Sequence, residues 1–188
     1  MKTKIITMIA VVVFYPSQEL KATDIDFYDD GIIQEGDGYD NVNVHNVAIV
    51  DMTGGVVSDF FTNDSSTANL TDGEIWRFYC RDTSTFNMFG GIIHQSFGVS
   101  GNGIANLHAG SIGQGLSAIE SSEINVYGYD FSLIPSGSNY FLSGFWGNDD
   151  PFTLYLRGPE TYPRVVLHEI PEPHSFAFLF LGSSLIIR

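Results

Sequence analysis

One short pattern returns between about residues 42 and 128, and it limits what this chain can become more than any other feature. The segments VDMTGGVV (50–57), ANLTDGEI (68–75), FNMFGGII (86–93) and ANLHAGSI (105–112) align on each other. An Asp or Asn marks each copy, at Asp51, Asn69, Asn87, Asn106 and Asn125, with steps of 18, 18, 19 and 19 residues by subtraction of those numbers. A period this short and regular is the signature of a solenoid.

The apolar positions identify the kind of solenoid. Val50 and Met52, Ala68 and Leu70, Phe86 and Met88, Ala105 and Leu107, and Ile124 and Val126 flank the markers. This is strand alternation with the polar marker facing outward, and it places Leu70, Met88 and Leu107 in one inward column. Further apolar residues follow each marker at Val57, Ile75, Ile93 and Ile112. Others precede it as the pairs Val42 and Val44, Phe60 and Thr62, Phe78 and Cys80, Phe97 and Val99, and Leu116 and Ala118. Each repeat therefore supplies three short inward segments separated by Gly, Asp, Asn and Ser turns. A single coil cannot bury its apolar side, whereas stacked coils close a continuous core. The expected fold is all-β: a short β-solenoid, a parallel β-helix, of about five to six coils over residues 23–128. The segment DIDFYDDGII (24–33) reads as an atypical first coil with Asp26 as its marker and Ile32 six residues later.

Before this region, Lys2 and Lys4 precede an apolar run from Ile5 to Phe14, and Ala22 is a small residue suited to cleavage. Residues 1–22 read as a signal peptide, which implies export. The formal charge of −14, with 8 Lys plus Arg, opposes binding to nucleic acid or anionic membrane surfaces. The single Cys80 excludes an intrachain disulfide framework and, at an inward position, reads as a small buried hydrophobe.

Several polar groups are candidates for chemistry. The loop Glu35, Gly36, Asp37, Gly38, Tyr39, Asp40 could offer oxygen ligands to calcium, but its spacing is not that of an EF-hand, and a solvated turn is favoured. Five residues before each marker stand Asn46, Asp64, Asp82, Gly101 and Glu120. A stacked row of carboxylates at Asp64, Asp82 and Glu120 is a possible ligand or calcium turn, and such rows also build acid/base sites in polysaccharide enzymes. Gly101 interrupts the row, and only Arg77 and Arg81 are near in sequence. The marker column fits better as a structural ladder of side-chain amides.

The five histidines match no ligand or triad spacing; His94 and His108 fall in different phases, and His45 and His168 stand alone. No catalytic residue, metal site or cofactor is expected. Asn63-Asp64-Ser65 and Asn69-Leu70-Thr71 are sequons of the kind that a polar repeat produces by chance.

The period is lost after Gly128. Residues 129–170 carry a hairpin signal, Phe141 to Trp146 and Phe152 to Leu156 about a Gly147–Pro151 turn, and a further strand from Arg164 to Ile170. Such an element would cap the open end of the solenoid. Tyr140, Phe145 and Trp146 could stack on sugar rings, although core packing under the cap is favoured.

The last 18 residues, 171–188, begin with Pro171-Glu172-Pro173, continue as HSFAFLFLGSSLII and end on Arg188. This tail closely resembles the PEP-CTERM sorting signal of exported bacterial proteins. GFWGNDDPFTLYLRG and VVLHEI before it, with Ser65-Ser66-Thr67 and Gly54-Gly55 in the coils, resemble repeat proteins of planctomycete-like bacteria that carry this tail. The resemblance implies a short C-terminal hydrophobic helix as a transient membrane anchor. It further implies an exosortase-type processing partner that recognises the Pro-Glu-Pro triplet, and accumulation at the cell surface or outside the cell. It points to a structural, matrix or adhesive role that could involve exopolysaccharide. A carbohydrate-binding module and a polysaccharide-active β-helix enzyme are the alternatives.

Overall fold

A computed structural model describes residues 23–172, so the segment read as a signal peptide and the tail from Pro173 onward lie outside the described residues, as does the expected C-terminal helix. The chain forms a parallel β-solenoid of about five turns. Its strands are β1 (Thr23–Phe27), β2 (Gly31–Ile33), β3 (Gly38–Val44), β4 (Ile49–Thr62), β5 (Thr67–Cys80), β6 (Thr85–Met88), β7 (Ile92–Val99), β8 (Ile104–Leu107), β9 (Ser111–Ile112), β10 (Leu116–Ala118) and β11 (Glu123–Ser136). They are followed by β12 (Asn139–Phe145), β13 (Pro151–Leu156), a 3-10 turn (Tyr162–Arg164) and β14 (Val165–Glu169).

Three faces stack along the axis. On the first, Asp51, Asn69, Asn87, Asn106 and Asn125 pair rung on rung. On the second, Tyr39, Val57, Ile75, Ile93 and Ile112 do the same. On the third, Ile25, Val42, Phe60, Phe78, Phe97, Leu116 and Leu156 form one column. The corner between the first two faces is built on glycine: Gly73 has φ +106°, and a Cβ there would stand 2.7 Å from the Met52 side chain and 2.8 Å from the backbone of Gly54. No L side chain fits so tight a corner between coils.

Periodic apolar residues form the core as expected. Leu70, Met88 and Leu107 are buried in one column, and Phe60, Phe78, Phe86 and Phe97 fill the centre with ring-to-ring contacts. Two of the periodic inward positions are not hydrocarbon, Thr62 and Cys80. Both meet the buried Ser84 hydroxyl, at 2.9 Å and 3.1 Å, so neither is left without a partner. Burial pushes the Cys80 thiol above its ordinary range, against the pull of the Ser84 and Thr62 hydroxyls.

The first coil is phased differently from the sequence expectation. Asp26 pairs with Asn43, on the third face, and it is Ile32 that occupies the marker register opposite Asp51. An Ile-Asp-Phe alternation suits a strand of any face, and Asp26 finds an amide partner there, since the Asn43 Nδ2 donates to it at 2.9 Å.

The end of the stack also departs from the periodic reading. After Gly128, β11 leaves the coil and runs on to Ser136, forming an antiparallel meander with β12 and β13. The expected hairpin is its second half. β13 then touches down on β10 through Leu156 opposite Leu116, and β14 stacks in parallel on β11 from Val165 to Glu169. The final strand thus adds one more rung to the first face. Trp146 is 3 % exposed, packs on Phe152 and donates its indole N–H to the Gly110 carbonyl at 3.2 Å. It closes the core and presents no ring for a sugar.

Candidate functional site

The carboxylate row turns out to be built into the turns of the solenoid. Asn46, Asp64, Asp82, Gly101 and Glu120 all have φ between 56° and 69°, the left-handed region. In each coil this residue reverses the chain between the third and first faces. An Asp64 oxygen accepts the Asn46 backbone N–H at 2.9 Å, Asp82 accepts from Asp64 at 3.1 Å, and Glu120 accepts from Gly101 at 2.6 Å. Each of these side chains therefore holds the left-handed turn residue of the coil before it. Gly101 interrupts the row for a steric reason: a Cβ there would lie 2.8–3.0 Å from three backbone atoms of Asp82. Among the described residues, no group of three or more His, Cys, Asp and Glu is placed to hold a metal ion.

The marker column is a continuous amide ladder. Asn69 donates to Asp51 at 2.7 Å, Asn87 to Asn69 and Asn106 to Asn87 at 2.8 Å, and Asn125 to Asn106 at 3.1 Å. Asp51 has acceptors only, which sets the direction of the whole ladder. At the other end the Asn125 carbonyl oxygen meets His168 Nε2 at 2.7 Å, so His168 closes the ladder from β14.

His168, which stands alone in the sequence, comes together in the fold with His108. Phe89, His108, Tyr127 and His168 stack in one column on the outer side of the first face. Their ring centroids are 4.9, 4.1 and 4.4 Å apart, and the planes lie within 10–17° of parallel. His45 is likewise partnered, stacked on Tyr28 and 3.7 and 3.9 Å from the carboxylates of Asp26 and Asp64. His94 contacts Glu74 at 2.9 Å.

A cleft of about 540 Å³ opens beside the ring column, lined by Phe89, His108, Ala109 and Tyr127 on one side and by Gly147, Asn148 and Ile170 on the other. The solenoid supplies the first wall, and the β12–β13 turn and the end of β14 supply the second. Burial and the nearby His168 pull the His108 pKa below the ordinary 6.5, favouring the neutral imidazole.

Of the Pro171-Glu172-Pro173 triplet, Pro171 and Glu172 are described, and both are exposed. The Ile170 N–H donates to the Gly128 carbonyl at 2.8 Å, and Pro171 and Glu172 follow it beside Tyr129 and Asp130. Tyr129 stands nearby with its hydroxyl on Asp149 at 2.5 Å. That hydrogen bond, helped by burial and the charges of Asp149, Glu172 and Asp130, pushes the phenol up to about 12.

Sequence reasoning passed over the ring column, although part of its signal was present. Phe89, His108 and Tyr127 each stand two residues after a marker, as a comparison with Asn87, Asn106 and Asn125 shows. His168 and the opposite wall carry no such signal, because β14 and the β12–β13 turn reach the column through non-periodic chain. Comparison with protein-family models, with curated proteins and with solved structures finds no match, so the reading of these sites rests on their geometry.

Proposed function

We propose that this chain is an exported, surface-sorted repeat scaffold with a structural, matrix or adhesive role, processed at Pro171-Glu172-Pro173. The observation that carries the reading is the place of the triplet. It follows directly on the last backbone hydrogen bond of the solenoid, at Ile170, and its first two residues are exposed. Two prolines keep such a segment extended and out of the preceding sheet, where an approaching enzyme reaches it without unfolding a coil. An apolar stretch from Phe176 to Ile187 would measure roughly 18 Å as a helix at 1.5 Å per residue, against a hydrocarbon core of roughly 30 Å, and so suits a transient anchor. A scaffold role agrees with the way the polar columns are used: the Asn ladder and the turn carboxylates bind coil to coil.

Intact-mass analysis of fractionated cells tests the proposal. The surface form should have lost Arg188 and the apolar segment, and Glu172→Ala should accumulate as uncleaved precursor in the membrane fraction with an unchanged melting temperature. Surface-exposed protein that retains Arg188 would refute it.

A further inference from the structure

The cleft beside the ring column has the composition of a small-ligand site. Concave, largely apolar sites with a few converging polar groups are where small molecules bind, typically in volumes of about 300–1,000 Å³. Here the apolar surface is Phe89, which is 50 % exposed, with Ala109 and Ile170. The polar groups are the His108 imidazole and the Tyr127 hydroxyl. Neither side chain has a hydrogen-bond partner among the described residues, although Tyr127 and His108 are both half-buried. The other polar side chains around them are engaged: His168 with Asn125, and Asn148 with Asp150.

We propose that this cleft binds one sugar unit of a neutral glycan. A pyranose ring has an apolar C–H face and a rim of hydroxyls that both donate and accept. The exposed part of Phe89 suits the first, and a neutral imidazole and a phenol, each able to donate and to accept, suit the second. The charge of the ligand follows from the surroundings. His108 favours its neutral form, the adjoining loop carries Asp149 and Asp150, and the chain as a whole carries −14. With no Lys or Arg among the lining residues, a uronic acid or sulfated sugar would meet repulsion. This goes beyond the scaffold reading by giving the surface a glycan partner, and it does not depend on how the tail is processed.

Saturation-transfer NMR and calorimetry on the purified full chain test it. The probes are neutral oligosaccharides (gluco-, manno- and N-acetylated chito-oligomers) and, separately, oligogalacturonates. At least one neutral series should bind, with the same affinity at pH 7 and pH 8. Phe89→Ala should weaken it by about tenfold, the loss of one aromatic contact. Tyr127→Phe retains the ring in its stack and removes only the hydroxyl, so it should weaken binding severalfold with an unchanged melting temperature. Absence of binding to every neutral series would overturn the proposal. So would preference for the oligogalacturonates, or affinity that neither substitution alters. Because the readout is binding in solution, its failure leaves the mass analysis of the exported form untouched.

Discussion

Met88 and its neighbour Asn87 offer a direct measure of how the solenoid divides its stability between core and ladder. They are consecutive residues of β6, point to opposite sides of the sheet, and each stacks on equivalent residues of the coils before and after. Met88 is 1 % exposed between Leu70 and Leu107, and truncation to Ala removes the packed thioether arm and leaves a cavity that the flanking coils cannot fill without shifting. Such truncations cost about 2–5 kcal/mol. Asn87 is half-buried and makes two ladder bonds of 2.8 Å, one as donor and one as acceptor. At roughly 0.5–1.5 kcal/mol per net bond, and with water able to reach the freed groups of Asn69 and Asn106, Asn87→Ala should cost about 1–2 kcal/mol. For a chain of this size each kcal/mol is worth roughly 2–4 °C. Thermal unfolding followed by circular dichroism should therefore place Met88→Ala about 10 °C below the wild type, and Asn87→Ala some 3–5 °C below it. Met88→Leu should stay close to the wild type, because it conserves volume. Equal shifts for the two alanine variants, or a larger one for Asn87, would refute the division of faces on which the description of the solenoid rests.

Two further outcomes follow from buried or half-buried titratable groups. Cys80 is fully buried with its thiol pushed up, so in the native protein it should resist a water-soluble thiol reagent, and it should react stoichiometrically once denaturant opens the coils. His108 binds its proton less readily in the folded state than in the unfolded chain. Acidification through the ordinary value of 6.5 toward the lower folded one should therefore progressively cost stability, and in melting curves between pH 7.5 and 5.5 the decline should be shallower for His108→Gln.

The repeat was legible in sequence because one coil is nearly a copy of the next, and errors in phase reveal themselves by spoiling the alternation. The columns through Val57, Ile75 and Ile93, or through Leu70, Met88 and Leu107, could be written down from spacing alone. At the ends this redundancy is gone. A single atypical coil offers nothing to align against, so Asp26 took the place that belongs to Ile32. The return of β14 to the stack depends on a connection of 36 residues, 129–164, through the meander, for which the spacing of the coils carries no information. The roles of the row containing Asp64, Asp82 and Glu120 were hidden for another reason. A list of carboxylates at constant spacing suggests a ligand site until the backbone angle is known, and a left-handed φ at those residues shows what each side chain is there to hold.

Left-handed backbone at a residue other than glycine costs on the order of 1–2 kcal/mol, and this chain accepts that at Asn46, Asp64, Asp82 and Glu120. A solenoid built with glycine at every such turn would avoid the strain but leave the turn's backbone N–H groups without side-chain acceptors. At Asn46 and Asp64 a carboxylate in the following coil supplies one, and this charge-assisted hydrogen bond, screened by solvent at an exposed turn, offsets part of the strain. The bond also fixes register, because a coil displaced by one residue would put the acceptor opposite the wrong N–H. Much of the acidity of the coils thus belongs to their cohesion, and so does the column of amides. The coils also shape a shallow cleft of their own at their glycine corner, beside Gly55, Gly73 and Glu74. The cleft beside Phe89, His108 and Tyr127 appears where β11 departs from the stack and the meander and β14 rise beside it. The stacked rungs supply one wall of that cleft, and the break in the repeat supplies the other.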